Sequence, residues 1–275
     1  MRINTNISSL AAQRALSTTA RNLDSNLKKM STGERITKAS DDAAGLAISE
    51  KLKSHIRGIR QAKRNADDGI SLIQTAEGAL SEISSIVIRL RELSIQAASD
   101  SVGPQERSFS DIEFQQLKEE VQRIAQSTTF NGTQLLDGTG GKLDFQIGIH
   151  NDPFRDRLSY DTSANDATLA ALGISDDSVA SKETAQLSLA KLDNALVKVN
   201  GIRANLGATQ NRLSSVTNTL GITDENLSAA NSRIRDVDVA AETADMAKNN
   251  ILAQSGVSVL SQANQSPNFA LKLIA

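Results

Sequence analysis

Residues 192–241, LDNALVKVNGIRANLGATQNRLSSVTNTLGITDENLSAANSRIRDVDVAA, decide the fold. Taken in steps of seven, the stretch reads Leu192, Val199, Leu206, Leu213, Leu220, Leu227, Ile234 and Ala241, an unbroken apolar row. Three residues after each comes Ala195, Ile202, Thr209, Val216, Thr223, Ala230, Val237 or Ala244, mostly small or branched. Rows spaced in this way are the a and d positions of a helix that packs along another helix. At 1.5 Å per residue the helix runs to roughly 75 Å, far beyond what a globular core needs, so it requires a partner of similar length. Gly201, Gly207 and Gly221 lie inside it and each costs about 1 kcal/mol against Ala, so packing must hold it together.

The partner lies between Ala43 and Ser99. Leu52, Ile59, Ala66, Ile73, Leu80 and Val87 form one row, and Ile56, Lys63, Ile70 and Glu77 form the other, passing over to Ile83, Leu90 and Ala97. This helix reaches about 85 Å and matches the ladder in length, so the two are expected side by side. Gly103-Pro104 ends it, and Phe109, Ile112, Leu117, Val121 and Ile124 mark a shorter helix returning antiparallel. Asn131-Gly132 and Asp137-Gly138 then signal turns around the apolar pair Leu135-Leu136, and Leu143, Phe145, Ile147 and Ile149 alternate as a strand does. Leu158 and Tyr160 mark a further short strand, and residues 161–177 hold no sustained period and read as a loop-rich tip. The fold class is therefore mainly α: long antiparallel helices forming a coiled-coil rod, with a small β-hairpin region, strands about 134–160, at the tip.

The two ends differ from the rod. Leu16, Ala20, Leu23, Leu27 and Met30 place one stripe on one helical face, while Ile3, Ile7 and Leu10 form a shorter stripe in another phase. Ser31-Thr32-Gly33 interrupts the pattern, and Ser40-Asp41-Asp42 offers cap chemistry for the next helix. Neither the run between Arg2 and Arg14 nor that between Lys248 and Lys272 carries a charged side chain. The C-terminal run is too polar to span a bilayer, yet Ile251, Leu252, Val257, Val259 and Leu260 supply apolar contacts and residues 269–275, Leu271 among them, close the chain on an apolar end. Missing charge with retained apolar residues is what burial among many copies demands, since desolvating an unpaired charge is costly. Ile3, Ile7, Leu10, Leu252, Val257, Leu260 and Leu271 are thus the expected self-assembly residues. The expected domains are residues 1–43 and 231–275, which together form a terminal coiled coil, and residues 44–230, which form the rod.

Composition agrees. The 275 residues are 39% hydrophobic but only 3% aromatic, which suits aliphatic seams better than a large compact core. With 30 basic and 32 acidic residues the net charge is -2, so no positive field attracts nucleic acid or an anionic membrane. There is no cysteine, which excludes disulfides and thiol chemistry and suits a chain exported unfolded. The opening residues lack the apolar core of a secretory signal, and no 18-residue apolar run occurs, so neither a cleaved leader nor a membrane span is expected.

Several runs carry a resemblance. Residues 1–6 (MRINTN), 27–36 (LKKMSTGERI), 41–48 (DDAAGLAI), 89–97 (RLRELSIQA), 130–132 (FNG), 232–242 (SRIRDVDVAAE) and 260–264 (LSQAN) are similar to bacterial flagellin. Roughly 50 residues separate Gly132 from Lys182, too few for outer variable domains, so the chain resembles a short form restricted to the inner layers. The resemblance implies an extracellular structural subunit of the bacterial flagellum that self-assembles into the motility filament. It implies unfolded passage through the type III export apparatus with an export chaperone, and assembly beside the flagellar cap and junction proteins. It also implies a contact with a vertebrate Toll-like receptor through Arg89, Leu93 and Glu113. The alternatives are a hook-filament junction protein, which shares the terminal coiled coil, and a secreted coiled-coil effector acting as a monomer.

Catalysis finds no foothold in the motifs. His55 and His150 are far apart and outside any H-E-x-x-H, and Gly138-Thr139-Gly140-Gly141 is not followed by G-K-[ST]. No enzyme activity, cofactor or metal is expected.

Overall fold

The computed structural model describes the backbone of residues 5–274 and the side chains of residues 5–265. Five long helices dominate: α1 (Ile7–Thr32), α2 (Ala43–Ala97), α3 (Pro104–Ser127), α5 (Lys182–Arg235) and α6 (Val239–Ile274). Between α3 and α5 lie β1 (Thr129–Phe130), β2 (Thr133–Gln134), β3 (Lys142–Gln146), β4 (Arg157–Asp161) and the single turn α4 (Leu169–Leu172). The chain divides into two compact units, residues 1–56 with 225–275, and residues 57–224.

The second unit is the rod. The helices α2 and α5, of 55 and 54 residues, are the matched pair that the heptads require. Their antiparallel register is written in cross-helix pairs, Arg60 to Asp224 (3.0 Å), Asp67 to Thr217 (3.3 Å) and Arg91 to Asp193 (2.6 Å), and is closed just past the end of α2 by Lys182 to Asp100 (2.7 Å). On α5 the expected rows are buried from Leu192 to Leu213, apart from half-buried Thr209, and half-buried from Val216 to Ile234. On α2 the first row holds, but the second is shifted. Ala62, Gly69 and Ala76 are buried, while Lys63 is exposed and Ile70 and Glu77 are half-buried. A seam through Lys63 and Glu77 would desolvate charge, whereas small residues let neighbours close in. A Cβ on Gly69 would stand 3.2 Å from both Leu213 Cδ1 and the Phe145 ring. From Ile83 onward the two readings coincide, with Ile83, Leu90 and Ala97 fully buried.

On α3 the buried row is Phe114, Lys118, Val121 and Ala125, and Phe109 and Ile112 of the expected stripe face outward, 62% and 61% exposed. Lys118 is buried because its ammonium is spoken for. It donates to the carbonyls of Ser175 (2.7 Å) and Asp177 (2.8 Å) and to Gln115 Oε1 (3.1 Å), pinning the segment before α5, and burial pushes its pKa down. The segment expected to be a loop-rich tip is therefore part of the core: Ala167, Leu172, Ile174 and Val179 are buried with the α2 and α5 rows. Each short piece contributes a single side chain, so no period shows in its sequence.

Asn131 (φ 50°) and Gly132 (φ 80°) turn β1 into β2, as the Asn-Gly pair predicts. Strands β3 and β4 pair antiparallel, Phe145 opposite Leu158 and Leu143 opposite Tyr160. The strand expected through Ile149 ends at Gln146, because the N–H groups of Ile147 and Gly148 both turn to the carbonyl of Asp156 (2.7 and 3.1 Å). A Cβ on Gly148 would fall 1.8 Å from Asp156 Oδ1, so only glycine passes here.

Tyr160, the chain's only tyrosine, is 7% exposed and accepts a hydrogen bond from Asn165. Burial disfavours the phenolate and pushes its pKa up to about 12, against the Asn165 bond that lowers it. The neutral phenol's contribution to stability is fully present below the unfolded pKa near 10 and is lost as pH rises toward 12, a loss on the order of 2–3 kcal/mol. Phenolate absorbance should therefore appear near pH 12 in folded monomer and near pH 10 in denaturant. A folded titration at pH 10 would show that the ring is not buried.

In the first unit, Asn6 caps α1 by accepting from Ser9 N–H (3.0 Å), and Gly33 ends it at φ 71°. The Asp42 carboxylate accepts from Gly45 N–H (2.8 Å) and caps α2, while Asp41 holds the N–H groups of Thr37 and Lys38. The ladder expected to run unbroken through Ala241 stops at Arg235. Arg235 O accepts from Arg35 N–H (2.6 Å) and Gly33 O from Val237 N–H (3.0 Å), so two chain reversals are tied to each other. Arg235 Nε lies 2.8 Å from Glu34 Oε1, and its other arm pairs with Glu50. Asp238 then caps α6, accepting from Ala240 and Ala241 N–H (2.9 and 3.2 Å), which is why Ala241 and Ala244 are exposed rather than rungs. Among the described residues no helix is long and apolar enough to cross a membrane.

Candidate self-assembly surface

The helices α1 and α6 pair antiparallel along one seam. The half-buried or buried positions on α1 are Ser9, Ala12, Leu16, Thr19, Leu23, Asn26, Lys29 and Met30, and on α6, among the described side chains, Glu242, Met246, Asn249, Ala253, Gly256, Leu260 and Ala263. One register connects them. Asn6 Nδ2 donates to Ala263 O (2.7 Å), Ser9 Oγ to Asn264 Oδ1 (2.6 Å), a Cβ on Gly256 would touch Leu16 Cδ1 at 3.3 Å, and Lys29 lies 3.6 Å from Glu242. With its amide oriented to satisfy both groups, Asn26 donates to Asn22 O (2.6 Å) and accepts from Met246 N–H (3.1 Å). Small side chains bring Cα atoms of the two helices within 8 Å of one another.

A seam of small and polar residues leaves the larger apolar ones outside it. Ile7 (62% exposed), Leu10, Leu27, Ile251 (65%), Leu252, Val257 and Val259 all project away from the pair. Burial of an aliphatic side chain of this size is worth about 1.5–3 kcal/mol, so the set holds on the order of 10 kcal/mol per subunit in reserve.

Of the expected assembly residues, Ile7, Leu10, Leu252 and Val257 lie on this outer surface. Leu260 is half-buried on the seam itself, and in the expected α1 stripe Ala20 and Leu27 face outward while Thr19 and Asn26 take their places. Ile3 and the side chain of Leu271 lie outside the described residues. Ile251 and Val259, named with them as apolar contact residues of the uncharged C-terminal run, are exposed on the same surface. Their signal is apolar character at positions that a seam would leave polar.

The expected receptor residues sit on the rod. Arg89 bridges α2 to α3, its Nε donating to Glu113 Oε1 (3.0 Å) and its Nη1 to Glu92 Oε2 (3.0 Å), and these carboxylates hold the guanidinium pKa up. Leu93 is 2% exposed and packs in the rod core. The structure thus joins Arg89 to Glu113 at the surface and withdraws Leu93 from it.

Matched long helices and paired terminal helices with apolar outer faces define a structural subunit rather than a catalyst. Residues 3–140 match the family model for the bacterial flagellin N-terminal helical region, and residues 189–274 the model for the C-terminal helical region. The chain is 43% identical over the whole of both chains to a flagellin of Halalkalibacterium halodurans, and 42% identical, again over both full lengths, to the flagellar filament 30.7 kDa core protein of Treponema maltophilum. The crystal structure of Bacillus cereus flagellin superposes with a TM-score of 0.51 at 32% identity, covering 57% of this chain and 88% of that one. The chain belongs to the bacterial flagellin family. As such it is a self-assembling structural subunit of the extracellular flagellar filament and not an enzyme.

Proposed function

We propose that the chain polymerises through the outer faces of α1 and α6, which become buried when many copies of the helix pair pack together. The observation that carries this is the distribution of apolar residues round α6. At 100° per residue, Ala253 and Leu260 face α1, Leu252 and Val259 lie on one flank, Val257 on the other and Ile251 behind. An uncharged helix with apolar side chains on every flank suits burial, and a single α1 partner covers only one side. The surrounding copies then cover residues that no monomer would leave in water.

The same reading has the chain pass unfolded through the type III export apparatus, with an export chaperone shielding the apolar C-terminal segment and cap and junction proteins receiving the chain at the filament end. It is supported by the lack of cysteine and by Gly201, Gly207 and Gly221 in α5, where an added Cβ would meet nothing. These glycines weaken the helix without serving any packing within the chain. Purified monomer brought to high salt should pellet as filaments. A chain that stays in the supernatant at every salt concentration would instead be acting as a monomeric secreted effector.

For the Toll-like receptor the reading rests on the resemblance together with the exposed Arg89–Glu113 pair, without Leu93. Arg89→Ala monomer should activate the receptor about tenfold less well or worse, and activation equal to wild type would remove this partner.

A further inference from the structure

All the sulfur in this chain is methionine sulfur, for there are three methionines and no cysteine. Met1 lies outside the described residues. The other two, Met30 and Met246, both lie half-buried on the α1–α6 seam.

The register sets them close together at one end of that seam. Asn26 accepts from Met246 N–H (3.1 Å), and Lys29 lies 3.6 Å from Glu242. Asn26 and Met30 are four apart on one face of α1, and Glu242 and Met246 are four apart on one face of α6. Antiparallel pairing therefore puts Met30 opposite Glu242 and Met246 opposite Asn26, in the turns nearest the tie of Gly33 O to Val237 N–H (3.0 Å). Elsewhere the seam is mostly small or polar. Among its described positions the larger apolar side chains are Leu16, Leu23, Leu260 and the two methionines, so oxidation of both would remove much of what apolar contact the pair has.

A thioether is apolar and adapts its shape to the gap it fills. Its sulfoxide is polar and chiral, and it brings an acceptor oxygen without a hydrogen to donate. At Met30 that oxygen would meet the Glu242 carboxylate, another acceptor, whose side chain is 13% exposed. At Met246 it would meet Asn26, 7% exposed, whose amide is already engaged with Asn22 O and with the Met246 N–H itself. The Lys29 ammonium in the same turns already faces Glu242. A polar group brought into such a place without a partner costs free energy, and a seam of small side chains has little to spare.

We infer that Met30 and Met246 form an oxidation site for peroxides, open in the monomer and closed in the filament, and that their sulfoxides hinder assembly by unpairing α1 from α6. In the reaction a sulfur lone pair attacks one peroxide oxygen, the O–O bond breaks, and that oxygen stays on sulfur while water leaves. The thioether is oxidised and the peroxide reduced. The inference rests on the assembly reading above, in which surrounding copies hold shut a helix pair that opens readily in the monomer, so peroxide reaches the sulfur in one state and not in the other.

Monomer and filament are treated with dilute hydrogen peroxide and digested, and sulfoxide is measured at each methionine by mass spectrometry. Both Met30 and Met246 should oxidise in monomer as fast as methionine in a short peptide, and about tenfold more slowly or less in filament. Equal rates in the two states would overturn the site. Oxidised monomer should then need about tenfold more protein to polymerise at high salt, and methionine sulfoxide reductases acting on both epimers should restore the original concentration. A Met30→Leu, Met246→Leu chain, close to wild type in core volume, should polymerise as wild type does and continue to do so after peroxide. Oxidised wild type that polymerises at its untreated concentration would overturn the effect on assembly, and so would a double variant that peroxide still disables. Untreated wild type that fails to pellet would count against the assembly reading itself and take this inference with it.

Discussion

A chain carrying Leu252→Asp and Val257→Asp should stay in the supernatant under conditions that pellet the wild type, with the melting of its rod unchanged. Both side chains are about half exposed or more and lie on opposite flanks of the α1–α6 seam, so the helix pair accepts aspartate at either position at little cost. In the proposed assembly those flanks meet neighbouring copies. The run between Lys248 and Lys272 holds no charged residue, so within that run no basic side chain would be there to receive a carboxylate. Burying an unpaired carboxylate costs several kcal/mol even after relaxation, and the lost apolar burial adds about 1.5–3 kcal/mol for each site. Together these are of the same order as the roughly 10 kcal/mol that the outer set holds in reserve. Leu260→Asp makes a poorer test, because Leu260 belongs to the seam and its loss would loosen α1 from α6 before any copy arrives. Filaments of normal length from the Leu252→Asp, Val257→Asp chain, seen by electron microscopy, would mean that α6 is not surrounded by copies.

Hydrogen exchange should divide the monomer into a fast part and a slow part. Amides of α1 and α6 are expected to open at a cost below about 2 kcal/mol, while those at Ile73, Leu80, Leu90, Leu192 and Leu206 approach the global stability, commonly about 5–15 kcal/mol. The α2 and α5 rows bury Ile, Leu and Val completely. The α1–α6 seam buries Ser9, Ala12, Thr19, Asn249, Ala253, Gly256 and Ala263 only in part, and small polar side chains return little for the entropy of ordering two long helices. Polymer should then protect α1 and α6 to the level of the rod, because the copies supply the missing burial. Strong protection near Leu10 and Leu260 in dilute monomer would show that the terminal pair is stable by itself and that assembly adds no order there.

Much of this was legible in residues. Heptad rows at Leu192–Ile234 and Leu52–Ala97 demand long helices in matched pairs, since no other arrangement buries such a stripe, and α2 and α5 meet that demand. The Asn131-Gly132 turn, the Gly103-Pro104 stop and the Asp42 cap are local chemistry, decided within a few residues of each other. The uncharged ends are likewise a matter of composition, and the proposed burial among copies starts from them, because the cost of desolvating charge acts on composition directly.

Other features depended on what stands across the gap. The second row of α2 runs through Ala62, Gly69 and Ala76 because Leu213 and Phe145 come close enough at Gly69 to require a small residue, and period alone does not set that phase. The ladder stops at Arg235 because Glu34, Arg35 and Glu50, remote in sequence, offer partners that a continuing helix would forgo. Lys118 is buried because two carbonyls near residue 176 fold back on it. Sequence alone determined which stretches form helices and that their apolar stripes must be covered. Only the tertiary structure decided which neighbour covers each stripe, and so which apolar residues of α1 and α6 remain exposed, because burial is a property of pairs of surfaces and a sequence states only one of them.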